Sequence, residues 1–296
     1  MSATANALLG LMSQTPVHAG AGASEDVIDL PVQREAHSDW PCIFGSSVKG
    51  ALRAHAELNG GLDQDQIVTL FGPETRDASE HAGALLVSDA RLLLLPVRSL
   101  NSHFRRVTCP ALLRRLGRDL QRLDVGGIPE IPEVAAGKAV SAEPVHNNSL
   151  YLEEFRLDTQ QQDLGAWVDC LAGVAGGEYH EELAQQLVIV SDDDFRHLCR
   201  NALPVQPHIR LNSETKTVEG GALWYEENLA PDTLLYVGLH THRARSEREE
   251  DALTLRGQLL DGLFGKHPYV QIGGNETTGM GWFRVETLTG READAA

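Results

Sequence analysis

The chain of 296 residues lacks several patterns that would identify common classes of protein. Its four cysteines, Cys42, Cys109, Cys170 and Cys199, form no Cys-x-x-Cys pair, so neither a zinc site nor a disulfide framework is indicated. We expect free thiols in a reducing cytoplasm. No apolar run reaches the roughly 18 residues of a membrane span, and the N-terminus lacks a basic secretion signal. We therefore predict no membrane partner.

Aromatic residues and positive charge are also scarce. Aromatics make up 5% of the chain and are not interleaved, which argues against a sheet that stacks nucleic-acid bases. The net charge is −17, from 25 basic and 42 acidic residues, which argues against non-specific binding to nucleic acid through bulk electrostatics.

The positive charge that is present is concentrated. Residues 91–122 contain eight arginines and one acid, Asp119. A nucleic-acid groove depends on such local clustering rather than on net charge. An ordinary helix with a basic solvated face explains the same pattern equally well.

Small residues near the N-terminus suggest an anion site. A turn with Gly20 and Gly22 is followed by an acidic loop, and then by the segment GSSVKG at 45–50. Small residues at the start of a helix leave backbone N–H groups free for an anion, and Lys49 adds a mobile charge. The segment is not a Walker motif, because Lys49 is followed by Gly50. A capped helix whose glycines allow close packing remains an equal interpretation.

The order of predicted elements favours an α+β fold without a linker between domains. Periodicity predicts strands at 7–12, 85–97, 150–157, 234–242, 269–272 and 280–287. Helices are predicted at 46–58, 108–123, 163–172, 193–202 and 249–264, with Thr108 as an N-cap. A loop is expected at 124–148 and a long β-hairpin at 209–225. The leucines of 112–123 form a stripe that we assign to the core.

Three motifs occur together in one order: GSSVKGALR at 45–53, VSDARLLLLPVRS at 87–99 and QIGGNETTGMG at 271–281. The chain resembles, from residue 15 to residue 281, the backbone subunit of the type III-B CRISPR effector, the Cmr complex, a member of the RAMP superfamily. The resemblance implies a modified ferredoxin-like, RRM-like α+β RAMP fold, a single domain over 1–296 with inserted segments. One insertion is a β-hairpin thumb at about 209–224 that crosses a guide–target duplex. Its polar tip fits an idle surface hairpin equally well.

The resemblance also implies a site for the guide RNA backbone. The residues carried over by position are Ser46, Ser47, Lys49, Arg53, Gly273, Gly274 and Thr277. Met280 stands where some relatives have a basic residue, so one phosphate contact is expected to be missing. Contacts to phosphate and sugar set the register of the RNA, and base pairing reads the target.

A catalytic aspartate is implied within a Val/Ile-Asp-x-Pro setting, which here is Ile28-Asp29-Leu30-Pro31. The residues alone do not separate Asp29 from Asp26 or Glu25, or from a loop or capping carboxylate. Such a carboxylate can hold a divalent cation, Mg²⁺ or Mn²⁺, or take a proton while a 2′-hydroxyl attacks the phosphate. The secondary catalytic candidates are His18, Glu226 and Glu227.

The expected function follows from the resemblance. Copies of the chain would polymerise head to tail along CRISPR RNA, joined by other Cmr subunits, and cleave target RNA as metal-dependent endoribonucleases. A non-catalytic RNA-binding scaffold is the first alternative. An enzyme that binds a phosphorylated small molecule is the second, and it leaves the joint order of the three motifs unexplained.

Overall fold

The computed structural model describes residues 4–24, 27–73, 82–124, 126–245 and 250–290. Their helices are α1 Gly45–Asn59, α2 Gln64–Phe71, α3 Pro110–Arg122, α4 Gly165–Ala175, α5 His180–Gln186, α6 Asp192–Asn201 and α7 Ala252–Phe264. Their strands are β1 Thr4–Ser13, β2 Cys42–Ile43, β3 Leu85–Val87, β4 Ala90–Arg98, β5 Phe104–Thr108, β6 Lys138–Ser141, β7 Ser149–Leu152, β8 Phe155–Gln161, β9 Leu187–Val190, β10 Val205–Leu211, β11 Val218–Glu227, β12 Leu234–His242, β13 Tyr269–Gln271 and β14 Trp282–Thr289.

One large mixed sheet runs through these ranges, in the order β13-β14-β1-β12-β4-β5-β9-β6-β8-β7. Strand β2 pairs with β4, and β3 pairs with β12. Strands β10 and β11 form a separate antiparallel hairpin. The predicted α+β class is confirmed, and the prediction of a single domain over 1–296 stays a prediction.

Helices cover both faces of the sheet, and the alternation along β1 shows why. Ala7, Leu9 and Leu11 enter the core beneath α1, α2 and α7, while Leu8 and Met12 enter the core beneath α3 and α4. Between them, Gly10 allows α4 to approach closely, because a Cβ there would lie 1.7 Å from the Val174 carbonyl oxygen. No described helix is long and apolar enough to cross a membrane.

Several predicted elements are confirmed with small shifts of their ends, among them β1, α1, α6 and the strand at 234–242. The predicted leucine stripe of α3 is buried throughout, at Leu112, Leu113, Leu116, Leu120 and Leu123. The hairpin is longer than predicted, because β10 begins at Val205 and β11 ends at Glu227.

Other predictions were wrong in detail. The strand expected at 85–97 is two strands, because Ser88 and Asp89 turn away to bond Gly238 and Gly45. Thr108 does not cap α3: it ends strand β5, Cys109 is the N-cap residue, and Pro110 is the first helical residue.

The segment expected as one strand at 150–157 is the hairpin β7–β8, and the loop expected at 124–148 contains β6. Helices α2 and α5 and strand β9 were not predicted. The missed strands are short, and their partners lie far away in sequence, so local periodicity carries little signal for them.

Candidate functional site

An open groove of about 420 Å³ lies between helix α1 and the C-terminal glycine loop. One wall is the α1 face that carries Ser47 and Gly50, and the opposite wall contains Gly273 and Gly274. His18 and its neighbours form the floor. The expectation that α1 and the glycine loop lie together is confirmed, and both contribute backbone and small side chains to the groove lining.

His18 lies between the turn at Gly20 and the loop at Gly273 and Gly274, and it contacts both. The Gly274 N–H donates to the His18 carbonyl oxygen over 2.8 Å. Gly273 has a φ of 109°, and a Cβ there would lie 2.7 Å from the same oxygen. Only glycine allows this close approach at position 273, so Gly273 is required by the geometry of the groove.

Gln33 connects the early loop to α1, and the sequence analysis missed it. Its side-chain oxygen accepts from the Phe44 N–H over 2.6 Å, and its Nε2 donates to the Gly20 carbonyl over 3.0 Å. The same nitrogen lies 3.4 Å from Ser47 Oγ. A lone glutamine after Pro31 carries no sequence signal, because its partners are separated from it along the chain.

The first turn of α1 is only partly open to an anion. The carboxylate of Asp89 accepts from the Gly45 N–H over 2.7 Å and so occupies part of the expected phosphate seat. Ser47 lines the groove, whereas exposed Ser46 does not. The described contacts therefore assign the groove wall to Ser47, Gly50 and the alanines that follow on the same helix face.

Lys49 and Arg53 lie outside the groove lining. Lys49 Nζ donates to the Leu85 carbonyl over 2.9 Å, and Arg53 donates to Glu57 and to the Gly72 carbonyl. Partial burial, together with Arg53 and Arg245, lowers the pKa of Lys49. Three cations thus share this side of α1, and the RNA-binding roles of Lys49 and Arg53 stay predictions.

The glycine loop continues into a short 3₁₀ turn, Glu276–Thr278, in which Thr277 is exposed. Thr277 is not among the residues that line the groove. Met280 is buried, and its N–H donates to the Asn275 carbonyl. The loop therefore presents its glycines, rather than Thr277, to the channel.

His18 is buried, and a backbone contact determines its tautomer. Its Nδ1 lies 2.8 Å from the Glu227 carbonyl oxygen, an atom that can only accept, so Nδ1 carries the proton. In the neutral ring, Nε2 is then an acceptor. It faces Gly20, where a Cβ would lie 2.7 Å from it. His18 therefore lines the floor of the groove with its acceptor nitrogen Nε2 beside Gly20.

The two glutamates at the end of β11 have different surroundings. The Glu227 carboxylate pairs with Arg34 and accepts from the Val32 N–H over 3.0 Å, so it anchors the early loop. The Glu226 carboxylate accepts from Asn275 over 2.7 Å and lies 3.9 Å from His18 Nδ1. Glu226, rather than Glu227, has its carboxylate beside His18, and the catalytic role predicted for Glu227 stays untested.

Asp29 lies in the same loop, where it meets the hairpin. Its Oδ2 accepts from the Tyr225 N–H over 2.7 Å, and Leu30 bonds both the Tyr225 carbonyl and the Glu227 N–H. The neighbouring candidates Glu25 and Asp26 lie outside the described residues. Asp29 is thus held next to the residues that flank Glu226.

The described residues contain no group of three or more His, Cys, Asp or Glu side chains able to hold a metal ion. Because the Tyr225 N–H donates to Oδ2 of Asp29, the other carboxylate oxygen, Oδ1, can serve as a ligand for a cation. Mg²⁺ commonly uses one or two carboxylates together with substrate phosphates, and Asp29 fits that kind of site. The divalent cation and its ligand Asp29 stay predictions.

Most arginines of the arginine-rich stretch are engaged in contacts within the chain. Seven of its eight arginines contact other parts of the chain: Arg91 and Arg122 with Asp119, Arg98 with Glu153, Arg105 with the Gln185 carbonyl, Arg106 with Glu182 and Asp232, Arg114 with Asp192, and Arg115 with Glu35. Arg118 is exposed and makes no such contact with the described residues. Most of these side chains therefore act within the fold.

The hairpin β10–β11 has two unlike faces. Exposed apolar side chains share one face near the base: Val205, Ile209, Leu223 and Tyr225. Leu211 and Val218 are also exposed, beyond a register shift in the pairing. The other face carries His208, stacked on Trp224 with ring centroids 5.4 Å apart, and Glu226 at its base. This apolar face lies on a two-stranded hairpin, which is a marginal structure when nothing covers it.

Comparisons with known proteins decide the family. The family model described as the RAMP superfamily matches residues 11–284. The chain belongs to the RAMP superfamily. A protein of Pyrococcus furiosus named CRISPR system Cmr endoribonuclease Cmr4 is 40% identical over 283 residues, which cover 94% of each chain. The CRISPR system CMR subunit Cmr4 of Saccharolobus solfataricus is 24% identical over 306 residues, 93% of this chain and 94% of that one.

Solved structures agree with this placement. The crystal structure of oligomeric Cmr4 from Pyrococcus furiosus superposes with a TM-score of 0.75 at 32% identity, over 97% of this chain and 99% of that one. A chain in the cryo-EM structure of the type III-B Cmr-beta complex bound to cognate target RNA has the same fold, with a TM-score of 0.75 at 21% identity over 95% and 96% of the two chains. The family and the RAMP fold implied by the three motifs are confirmed.

Proposed function

We propose that the chain is the backbone subunit of a type III-B CRISPR Cmr complex, which binds CRISPR guide RNA and cleaves the paired target RNA. The observation that carries the proposal is the groove between α1 and Gly273-Gly274, with the acceptor nitrogen of His18 at its floor. The 40% identity to a Cmr endoribonuclease over nearly the whole chain supports the same activity.

The groove suits an RNA backbone better than it suits bases. Its lining includes glycines, small alanines, a serine hydroxyl and two glutamine amides, which allow close approach and offer hydrogen bonds to phosphate and sugar. The cations Lys49, Arg53 and Arg245 lie on the adjacent side of α1. Their charge can attract phosphate despite the overall charge of −17.

The chemistry proposed here uses the RNA's own 2′-hydroxyl. The 2′-oxygen forms a bond to phosphorus while the bond from phosphorus to the 5′-oxygen breaks, and the departing 5′-oxygen takes a proton from water. The products are a 2′,3′-cyclic phosphate and a 5′-hydroxyl. His18 Nε2 is the acceptor for the 2′-hydroxyl proton, and its partner Glu227 carbonyl holds the required tautomer. Asp29 would hold a divalent cation, Mg²⁺ or Mn²⁺, which would supply positive charge to the phosphate.

Assembly with other copies is part of the proposal. The apolar face of the hairpin is a surface that a second copy can cover, and a relative 32% identical has been crystallised as an oligomer. A head-to-tail contact of this kind builds an open filament along the guide RNA. Other Cmr subunits would complete the complex, and the four free cysteines suit the cytoplasm.

The test is cleavage of target RNA by the assembled, guide-bound complex in the presence of Mg²⁺ or Mn²⁺. Asp29→Ala is expected to lower the cleavage rate by about 100-fold or more while guide and target binding are kept. Asp193→Ala, an exposed carboxylate on α6, is the matched control and should cut normally. Equal cutting by Asp29→Ala would move the site elsewhere, and a wild-type complex that binds without cutting would favour the scaffold alternative.

A further inference from the structure

A second imidazole faces the carboxylate that lies beside His18. His208 is on β10, directly opposite Trp224 on β11, and the two rings are stacked at 12° to one another. Its Nε2 atom is buried and has no hydrogen-bond partner. That atom lies 3.8 Å from Oε1 of Glu226, so the unpartnered nitrogen is aimed at a carboxylate that is itself only 4% exposed.

One oxygen of Glu226 collects groups from three separate parts of the chain. Asn275 of the glycine loop donates to Oε1 over 2.7 Å, while His208 and His18 lie 3.8 Å and 3.9 Å from it. The nearby cation Arg34 pairs with Glu227 instead. The neighbours of the Glu226 carboxylate therefore include the two imidazoles and the side-chain amide of Asn275.

The arrangement links the hairpin to the groove floor. His18 belongs to the turn after β1, and His208 belongs to the first strand of the hairpin, so Glu226 is their common neighbour. A shift of about 1 Å would bring His208 Nε2 within hydrogen-bond distance of the carboxylate. Stacking on Trp224 restricts the ring and keeps Nε2 directed towards Glu226.

We propose that His208 is a positioning residue for RNA cleavage: through Glu226 it fixes His18 and couples the base of the hairpin to the groove. The proposal rests on the function proposed above and adds a residue to its site. His208 does not need to touch the RNA. Its effect is to keep the Glu226 carboxylate, and hence the imidazole of His18, in the orientation that accepts the 2′-hydroxyl proton.

The test uses the assembled guide-bound complex and the single-turnover cleavage rate at saturating target RNA. His208→Phe keeps an aromatic ring against Trp224 but removes the nitrogen, and it should slow cleavage about tenfold with unchanged guide and target affinity. His208→Gln returns a donor and should recover most of the rate. His197→Phe is the control, since His197 packs edge-to-face on Phe155 and lies outside the site.

A double-mutant cycle separates positioning from packing. If His208 acts through Glu226, then adding His208→Phe to Glu226→Gln should cause no further loss. The inference is overturned if His208→Phe cuts like wild type, if His208→Gln is as slow as His208→Phe, or if the two losses multiply. A wild-type complex that binds target RNA without cleaving it would overturn the proposed function itself. If the wild-type complex cleaves and substitution of His208 leaves its cleavage rate unchanged, only this inference is overturned.

Discussion

The arginine-rich stretch at 91–122 and the groove beside α1 make opposite uses of charge. The stretch has eight arginines, and seven of them contact groups elsewhere in the fold. The groove lining consists of glycines, alanines, a serine, an isoleucine, two glutamines and His18, with the cations Lys49 and Arg53 on the adjacent side of the helix. The density of basic residues in the sequence therefore does not coincide with the proposed RNA-binding surface.

The difference follows from what each region has as a partner. An arginine close to a carboxylate of its own chain has its charge neutralised and its donors used, so little remains for a phosphate. A channel lined by glycine keeps backbone close to any ligand and needs few charges to hold it. Three variants in these two regions test the contrast, and the largest effect comes first.

Asp119→Ala should lower the free energy of unfolding and leave the affinity for guide RNA unchanged. Asp119 accepts from Arg91 over 2.6 Å and from the Tyr236 hydroxyl over 2.8 Å, and the variant leaves both donors without it. We expect the free energy of unfolding to fall by about 3 kcal/mol, measured by chemical denaturation. Loss of guide-RNA affinity in the folded fraction, with stability unchanged, would contradict the structural role.

Gly50→Leu should move stability and RNA affinity in opposite directions. Gly50 lines the groove within α1, and a Cβ there meets nothing within 4 Å. Replacing a helical glycine should stabilise the protein by about 0.5–1 kcal/mol. The side chain fills the channel, so guide-RNA affinity should fall about tenfold, or roughly 1.4 kcal/mol.

Gly173→Leu is the matched control for Gly50→Leu. Gly173 is also an exposed helical glycine with open space at its Cβ, but it lies in α4 outside the groove. The control should gain similar stability with unchanged RNA affinity. An equal affinity for RNA in both variants would show that the channel is not the binding surface.

Lys49→Met should change the pH dependence of the free energy of unfolding, because Lys49 lies near two other cations. Burial, Arg53 and Arg245 lower the pKa of Lys49, so the folded chain releases this proton at a lower pH than the unfolded chain. The free energy of unfolding of the wild type, relative to that of Lys49→Met, should therefore increase as the pH rises from about 8 to about 10. The measurement is the difference in unfolding free energy at the two pH values, and a constant difference would contradict the lowered pKa.

Local sequence was sufficient for the elements that hold the groove walls. Val48 and Leu52, four residues apart, predicted α1, and both are fully buried beneath it. The motif at 271–281 pointed to Gly273 and Gly274 as site residues, and a close backbone approach occurs there between Gly273 and the His18 carbonyl.

The contacts that complete the site depend on residues far apart in sequence. The tautomer of His18 is set by a carbonyl 209 residues away, and Asp89 meets the start of α1 from 44 residues away. Arg106 pairs with Glu182 and Asp232, 76 and 126 residues further along the chain. Periodicity within a short window carries no information about such partners, which is why the arginines looked free and why His208 was overlooked.

The most direct test of the account compares the affinities of Gly274→Leu and Arg118→Gln for a synthetic guide RNA. A Cβ at Gly274 makes only ordinary contact with His18, the nearest atom being 3.6 Å away, so leucine can fill the channel while the fold is retained. We expect Gly274→Leu to lose about tenfold in affinity and Arg118→Gln to change it less than about twofold. If Arg118→Gln instead lowers the affinity for guide RNA and Gly274→Leu leaves it unchanged, the RNA lies on the arginine-rich helix and the account is contradicted.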